Sequence, residues 1–344
     1  MVQGIFFEGS DWMNYEQVID ERFNGVVSIK HNGERIFQKP FGYADLPNKV
    51  PNGMDTKFPT ASAGKAFVAV AVLQLIEKGK LSFETRIGDV LAFNLGAIDL
   101  NITVRQLLNH TSGIPDYFDE SVMDEYAGLW EHFPNYKIRT SKDLLPLFID
   151  KPMMYEPGEK FQYNNSGFVV LGLIIEAITG LAFDVYLKKN VFEPAGMSDT
   201  GYYELDRLPA KCANAYIYDK NRREYYTNIF SVDAKGTGAG GAFTTVADVE
   251  DFWDKLLNHQ LISSNMVNKM LSPQVAEKCY GYGIWLDEKK NGAFSYHFEG
   301  CDPGVSFYSV YDPGKDLLIT SISNFGDNVW KVFQEISKAF KEKG

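Results

Sequence analysis

Ser62 and Lys65 stand three residues apart in Ser62-Ala63-Gly64-Lys65, a spacing that puts a hydroxyl and an amine on one face of a helical turn. A serine hydroxyl attacks a carbonyl carbon poorly until a base takes its proton, and a neutral lysine can be that base. An exposed lysine, with a pKa near ~10.4, stays charged at neutral pH, so the pair needs burial or a neighbouring cation. Lys65 opens the apolar run Ala-Phe-Val-Ala-Val-Ala-Val-Leu-Gln-Leu-Ile over residues 66–76, where desolvation is expected. Free N–H groups at the start of that helix would also favour an oxyanion beside Ser62. Such a two-position pattern arises by chance about once in a chain of this size. Here it occurs nowhere else.

Two further groups could join the pair. Tyr163-Asn164-Asn165 supplies a phenol that can relay a proton beside a lysine, and an amide that can orient the lysine or hold a carbonyl. Tyr226-Thr227-Asn228 has the same form, and a loop tyrosine with a capping asparagine explains either copy equally well. His297 lies in Tyr296-His297-Phe298-Glu299-Gly300-Cys301-Asp302-Pro303-Gly304, read as the end of a strand before a glycine-rich turn, where side chains line clefts. A lone histidine is as often structural or superficial.

Other chemistries are poorly supported. There is no Gly-x-Ser-x-Gly elbow and no His-Glu-x-x-His zinc motif. Residues 236–241, Gly-Thr-Gly-Ala-Gly-Gly, satisfy the dinucleotide pattern but follow Asp233-Ala234-Lys235 instead of an apolar strand, so they read as a turn near the cleft. His31, His110, His132 and His259 are too dispersed for a metal site. Against 34 Lys and Arg stand 45 Asp and Glu, a net charge of −11 that repels phosphate backbones and argues against a nucleic-acid partner. No run suggests a membrane span or a signal peptide, and Cys212, Cys279 and Cys301 are scattered, so buried reduced thiols and a cytoplasmic location are expected.

The elements that must position these residues follow from periodicity. Apolar runs on either side of His31-Asn32-Gly33 predict an opening hairpin. Residues 62–79 read as a buried helix, and the middle as helices over 104–109, 142–149, 167–178, 183–190 and 247–257. Strands are expected at 282–286, 306–310 and 317–322, then a helix over 328–340. Strands at both ends around a helical middle do not alternate as a parallel sheet requires. The expected fold is therefore α+β: an antiparallel sheet from the N- and C-terminal strands, flanked by helices, with a large helical region inserted. We read residues 1–344 as one catalytic unit, with 1–80 and 271–344 carrying the sheet and 81–270 mainly helical. With 45% hydrophobic residues the chain can bury such a core.

In order along the chain, these pieces resemble the serine β-lactamase and penicillin-binding protein superfamily, in its class C, DD-peptidase and esterase-like branch. Beyond Ser62-x-x-Lys65 and Tyr163-x-Asn165, the resemblance includes Ile-Thr-Val-Arg-Gln-Leu-Leu-Asn-His-Thr-Ser-Gly-Ile-Pro over 102–115, Glu156-Pro157-Gly158, and Gly-Gly-Ala-Phe-Thr-Thr-Val-Ala-Asp over 240–248. It implies Ser62, Lys65 and Tyr163 as catalytic residues, with Asn165, His297, Gly300 and Ser306 binding substrate. It further implies an acyl-serine intermediate, no cofactor or metal, and an oxyanion hole from the N–H of Ser62 and the strand near Ser306. The branch's third motif is Lys or His, any residue, then Gly. Here His297 is one residue too far from Gly300, and an ungapped match puts Phe298 in the cation's place. Penicillins and D-alanyl peptides carry a carboxylate for that cation, so the expected activity is that of an esterase, a D-amino-acid peptidase or a weak β-lactamase, on a small-molecule or peptide substrate. The competing reading is a penicillin-binding-like sensor or binding module without turnover. Nothing in the sequence specifies an oligomeric state.

Overall fold

The computed structural model describes residues 15–341. Its central sheet has six strands: β1 (Gly25–His31), β2 (Glu34–Phe41), β3 (Trp285–Glu288), β4 (Phe294–Asp302), β5 (Val305–Asp312) and β6 (Leu317–Ser323). The order is β2-β1-β6-β5-β4-β3, antiparallel throughout. Asn32 and Gly33 turn the first hairpin with φ of 50° and 76°, the left-handed pair that a two-residue turn needs. Strand β1 then pairs with β6 from Gly25↔Ser323 to His31↔Leu317, so the two ends of the chain close one sheet.

Alternation along the strands serves two layers. On one face Val27, Ile29, Tyr308, Val310 and Ile319 pack against helix α4 (Val329–Lys341) through Val329, Val332 and Ile336. On the other, Val26, Phe298, Phe307, Leu318 and Ile322 join a core that includes helix α1 (Lys65–Glu77) and helix α3 (Val246–Leu257). Helix α1 is buried on nearly every side because the sheet covers it on one flank and the helical region on the other. Phe67 shows this, its ring meeting Phe298 of the sheet at 6.1 Å and Phe192 of the helical region at 5.3 Å. That region is centred on helix α2 (Asn165–Thr179), which starts where the Asn164 side chain accepts from Gly167 N at 2.8 Å and stops at Gly180, φ 69°.

Several local expectations change. The helix expected over 142–149 is a 3-10 segment, Ser141–Leu147, since Pro146 removes an amide from the ladder. The helix expected over 183–190 is α-helical only to Leu187 and continues as a π-type turn to Phe192. The strand expected from 282 begins at Trp285, because Gly283, at φ 72°, turns the chain against α1; a Cβ there would lie 2.4 Å from that of Ala69. His297 does not end its strand: β4 runs on through Gly300 to Asp302. The thiols are not buried either, Cys301 being exposed and Cys212 and Cys279 half-buried.

Candidate active site

The candidate nucleophile rides on a short 3-10 turn, Ala61–Gly64, just ahead of α1. Ala61 holds a left-handed φ of 47°, which costs a non-glycine residue energy and persists only where surroundings enforce it. Two backbone segments enforce it here. On one side, Thr60 N donates to Ala242 O at 2.7 Å, Gly241 N donates to Ala61 O at 2.9 Å, and a Cβ on Gly240 would sit 2.2 Å from Ala61 O. On the other, a Cβ on Gly300 of β4 would sit 2.3 Å from Thr60 O and 2.7 Å from Ser62 N. The turn lies wedged between two glycines.

Lys65 is 2% exposed, and its ammonium has three acceptors: Ser62 Oγ at 2.9 Å, Asn165 Oδ1 at 2.8 Å and Ala239 O at 2.6 Å. Burial lowers its pKa to about 8, against the opposing pull of Glu120, Asp116 and Asp302. The amide of Asn165 cannot turn the other way, because its Nδ2 donates to Phe118 O at 3.1 Å, which leaves Oδ1 to face the lysine. Behind it, the buried Asp116 carboxylate accepts Asn165 N at 2.8 Å and Ser166 N at 3.0 Å. Burial raises that carboxyl to about 6.

Tyr163 stacks on Trp285 with centroids 5.6 Å apart, touches the His110 ring at 4.6 Å, and has Lys65 Nζ 4.9 Å from its own centroid. Burial pushes its phenol well above the usual range, a hydrogen bond with Ser62 pulling weakly the other way. The tyrosine is thus a protonated group at rest, a phenol with a proton to give. Tyr226, the other candidate, is exposed.

Ser62, Tyr163, Asn165, Gly300 and Ser306 all line one cavity of about 1430 Å³ at the junction of sheet and helical region. His297 does not. Its Nδ1 meets Asp287 Oδ2 at 2.8 Å and its ring lies parallel to Trp285, at 6.2 Å, so it braces the indole on which Tyr163 rests and contributes no wall. Phe298 holds the cation's place, 2% exposed among Phe67, Phe252, Trp253 and Phe307. Ser306 donates its hydroxyl to Asp327 O. The sequence reading passed over Asp116, and it set the 236–241 turn near the cleft without giving Ala239 a role. Asp116 follows directly on the quoted 102–115 segment, and Ala239 acts through its carbonyl, which no side-chain pattern records.

Among the described residues no cluster of three or more His, Cys, Asp or Glu could hold a metal ion, and no single helix is long and apolar enough to cross a membrane.

An antiparallel sheet closed by both chain ends, a helical insertion and this cavity define a serine hydrolase of the β-lactamase/transpeptidase type. The chain belongs to the Beta-lactamase family, whose profile matches residues 14–334. It is 32% identical over 319 residues to Penicillin-binding protein 4* of Bacillus subtilis (strain 168), covering 87% of this chain and 68% of that one. The crystal structure of a penicillin binding protein from Bacillus halodurans superposes with a TM-score of 0.90 at 38% identity, covering 94% of this chain and 99% of that one. A D-amino acid amidase from Ochrobactrum anthropi SV3, 22% identical over 96% of this chain and 98% of its own, shares the fold with a TM-score of 0.78.

Proposed function

We propose that the chain hydrolyses an amide or ester bond through an acyl-Ser62 intermediate, and that its preferred substrates carry no carboxylate beside the scissile bond. The observation that carries this reading is the 2.9 Å contact of Lys65 Nζ with Ser62 Oγ at a site where burial lowers the lysine to about 8. A neutral Lys65 takes the Ser62 proton as Oγ bonds to the carbonyl carbon. Tyr163 gives its proton to the departing amine or alkoxide as the C–N or C–O bond breaks, and is reprotonated from the Lys65 ammonium. Water then repeats the attack on the acyl carbon, its proton passing to the same groups and a proton returning to Ser62.

The oxyanion would lie between two backbone N–H groups. One belongs to Ser62. The other follows from strand register: the two-residue loop Pro303-Gly304 makes Asp302↔Val305 the closing hydrogen-bonded pair, so the next pair, Cys301↔Ser306, points its N–H groups outward. Beyond His297, β4 has no pairing with β3, and its outer edge meets the nucleophile turn through Gly300. Cys301 N is the donor this geometry favours, in the strand position opposite Ser306.

Phe298 supports the substrate preference, since a benzyl group offers nothing to a carboxylate. The test is the intact mass of the parent and of Ser62→Ala after exposure to a fluorophosphonate, an activated ester, a penicillin and nitrocefin. One adduct on the parent, absent from the variant, with turnover of the ester and little of nitrocefin, is the expected result. Rapid nitrocefin turnover would overturn the substrate preference, and an adduct that persists in Ser62→Ala would overturn the nucleophile.

A further inference from the structure

Every charged side chain on the wall of the Ser62 cavity is acidic: Glu120, Asp124, Glu125, Asp233, Glu299, Asp302 and Asp327, with no Lys, Arg or His among the described lining residues. Lys65 stands behind the wall with its donors already committed to Ser62, Asn165 and Ala239. Asp302 lies two residues beyond Gly300, on the same side of β4, which brings it beside the nucleophile turn. Its carboxylate accepts no hydrogen bond among the described residues, and the field of Asp233 reaches it. Asp233 accepts one, from Tyr126 Oη at 3.0 Å.

Carboxylates gathered in a partly dry cavity repel one another, and a cation that enters relieves both that repulsion and their poor solvation. A carboxylate substrate would meet repulsion from every side. Resting on the reading of Ser62 as nucleophile, we infer that Asp302, backed by Asp233, is a specificity-determining residue that receives a primary ammonium group on the acyl part of the substrate. The substrate class is then an aminoacyl amide or ester with its amine free.

The chain length between amine and carbonyl is left to the experiment. Hydrolysis of glycyl, β-alanyl, 4-aminobutyryl and 6-aminohexanoyl p-nitroanilides is compared with that of their N-acetyl and N-succinyl forms, alongside neutral p-nitrophenyl butyrate. The expected result is that at least one free amine exceeds its N-acetyl form about tenfold or more in kcat/KM, the scale of one charge-assisted hydrogen bond, with the N-succinyl form slowest. In Asp302→Asn that ratio should fall to about one, and in Asp302→Glu part of it should return. If Asp302→Asn fails to fold, n-hexylammonium decides the matter on the parent enzyme. It should inhibit p-nitrophenyl butyrate hydrolysis competitively, where hexanoate does not. Equal rates for free and acetylated amines with ester hydrolysis intact would overturn the inference and leave the Ser62 reading standing. Absent ester hydrolysis would overturn the Ser62 reading instead, and calorimetric binding of n-hexylammonium, which needs no turnover, would still judge the ammonium subsite.

Discussion

Lys65 sits at the centre of the chemistry, and its surroundings set its charge by competition. Burial favours the neutral amine, whereas Glu120, Asp116 and Asp302 favour the ammonium, and burial prevails. Because only the neutral form accepts the Ser62 proton, kcat/KM for a neutral ester should rise about tenfold per pH unit below about 8 and level off above it. A stopped assay of p-nitrophenyl butyrate between pH 6 and 10 checks this, and a flat profile would remove Lys65 as the base. Lys65→Arg keeps the charge but cannot lose its proton, so ester hydrolysis should drop by ~10²–10⁴. Tyr163 separates two steps. Held protonated by burial, it serves as donor to the leaving group. A p-nitrophenolate leaves without help, whereas an amine does not. Tyr163→Phe should therefore slow amide hydrolysis at least about tenfold more than ester hydrolysis, a ratio read from matched anilide and ester substrates.

At the scale of elements, strand β4 does three jobs by alternation and by edge. Phe298 fills the core under α1, Gly300 admits the nucleophile turn, and Asp302 reaches the cavity. Gly300→Ala places a methyl against backbone oxygen and nitrogen that cannot swing aside, so the turn must shift. Loss of most Ser62 labelling by a fluorophosphonate is expected, with a stability loss of ~1–3 kcal/mol in urea titration. Restoring a cation by Phe298→Lys should not convert the enzyme to carboxylate substrates. The new ammonium would lie in an apolar aromatic cluster without a partner, at a cost of several kcal/mol, so a fall in the urea midpoint is the expected outcome. Folded Phe298→Lys with rapid nitrocefin turnover would refute that account.

Among the described residues the largest core runs through both regions, with Val26 and Ile322 of the sheet, Phe67 of α1 and Phe168 of α2 in the same cluster, and a second cluster lies between the sheet and α4. Calorimetry should then give a single unfolding transition. The acids of the site lie on the debit side of stability. Burial raises Asp116 to about 6, and Asp233 and Asp302 to about 7, from an unfolded value of 3.8. Between those values the folded chain holds protons that the unfolded chain has released. These groups therefore contribute a loss of stability as pH rises from about 4 to about 7, and no further change above it. Asp233→Asn keeps an acceptor for Tyr126 and removes one titration. Its melting temperature should exceed the parent's at pH 8 by more than at pH 5, and an unchanged difference would deny the burial cost.

The sequence by itself determined which residue types meet and in what order. The Ser62-x-x-Lys65 spacing, the apolar run behind it and the Asn32-Gly33 hairpin are local features, governed by helical pitch and turn geometry, and they could be read directly. The sheet closed by both chain ends was legible too, because alternation survives translation along the chain. Only the tertiary structure decided the rest, since those properties arise between segments distant in sequence. Asn165 faces Lys65 because Phe118 and Asp116 hold its other end. His297 left the cavity because the pleat of β4 turns it to the Asp287 side while Phe298 turns to the core. The sign of the charge facing Ser62 was hidden as well, for a net charge of −11 says only that acids outnumber bases, and the fold alone says which of them share one cavity.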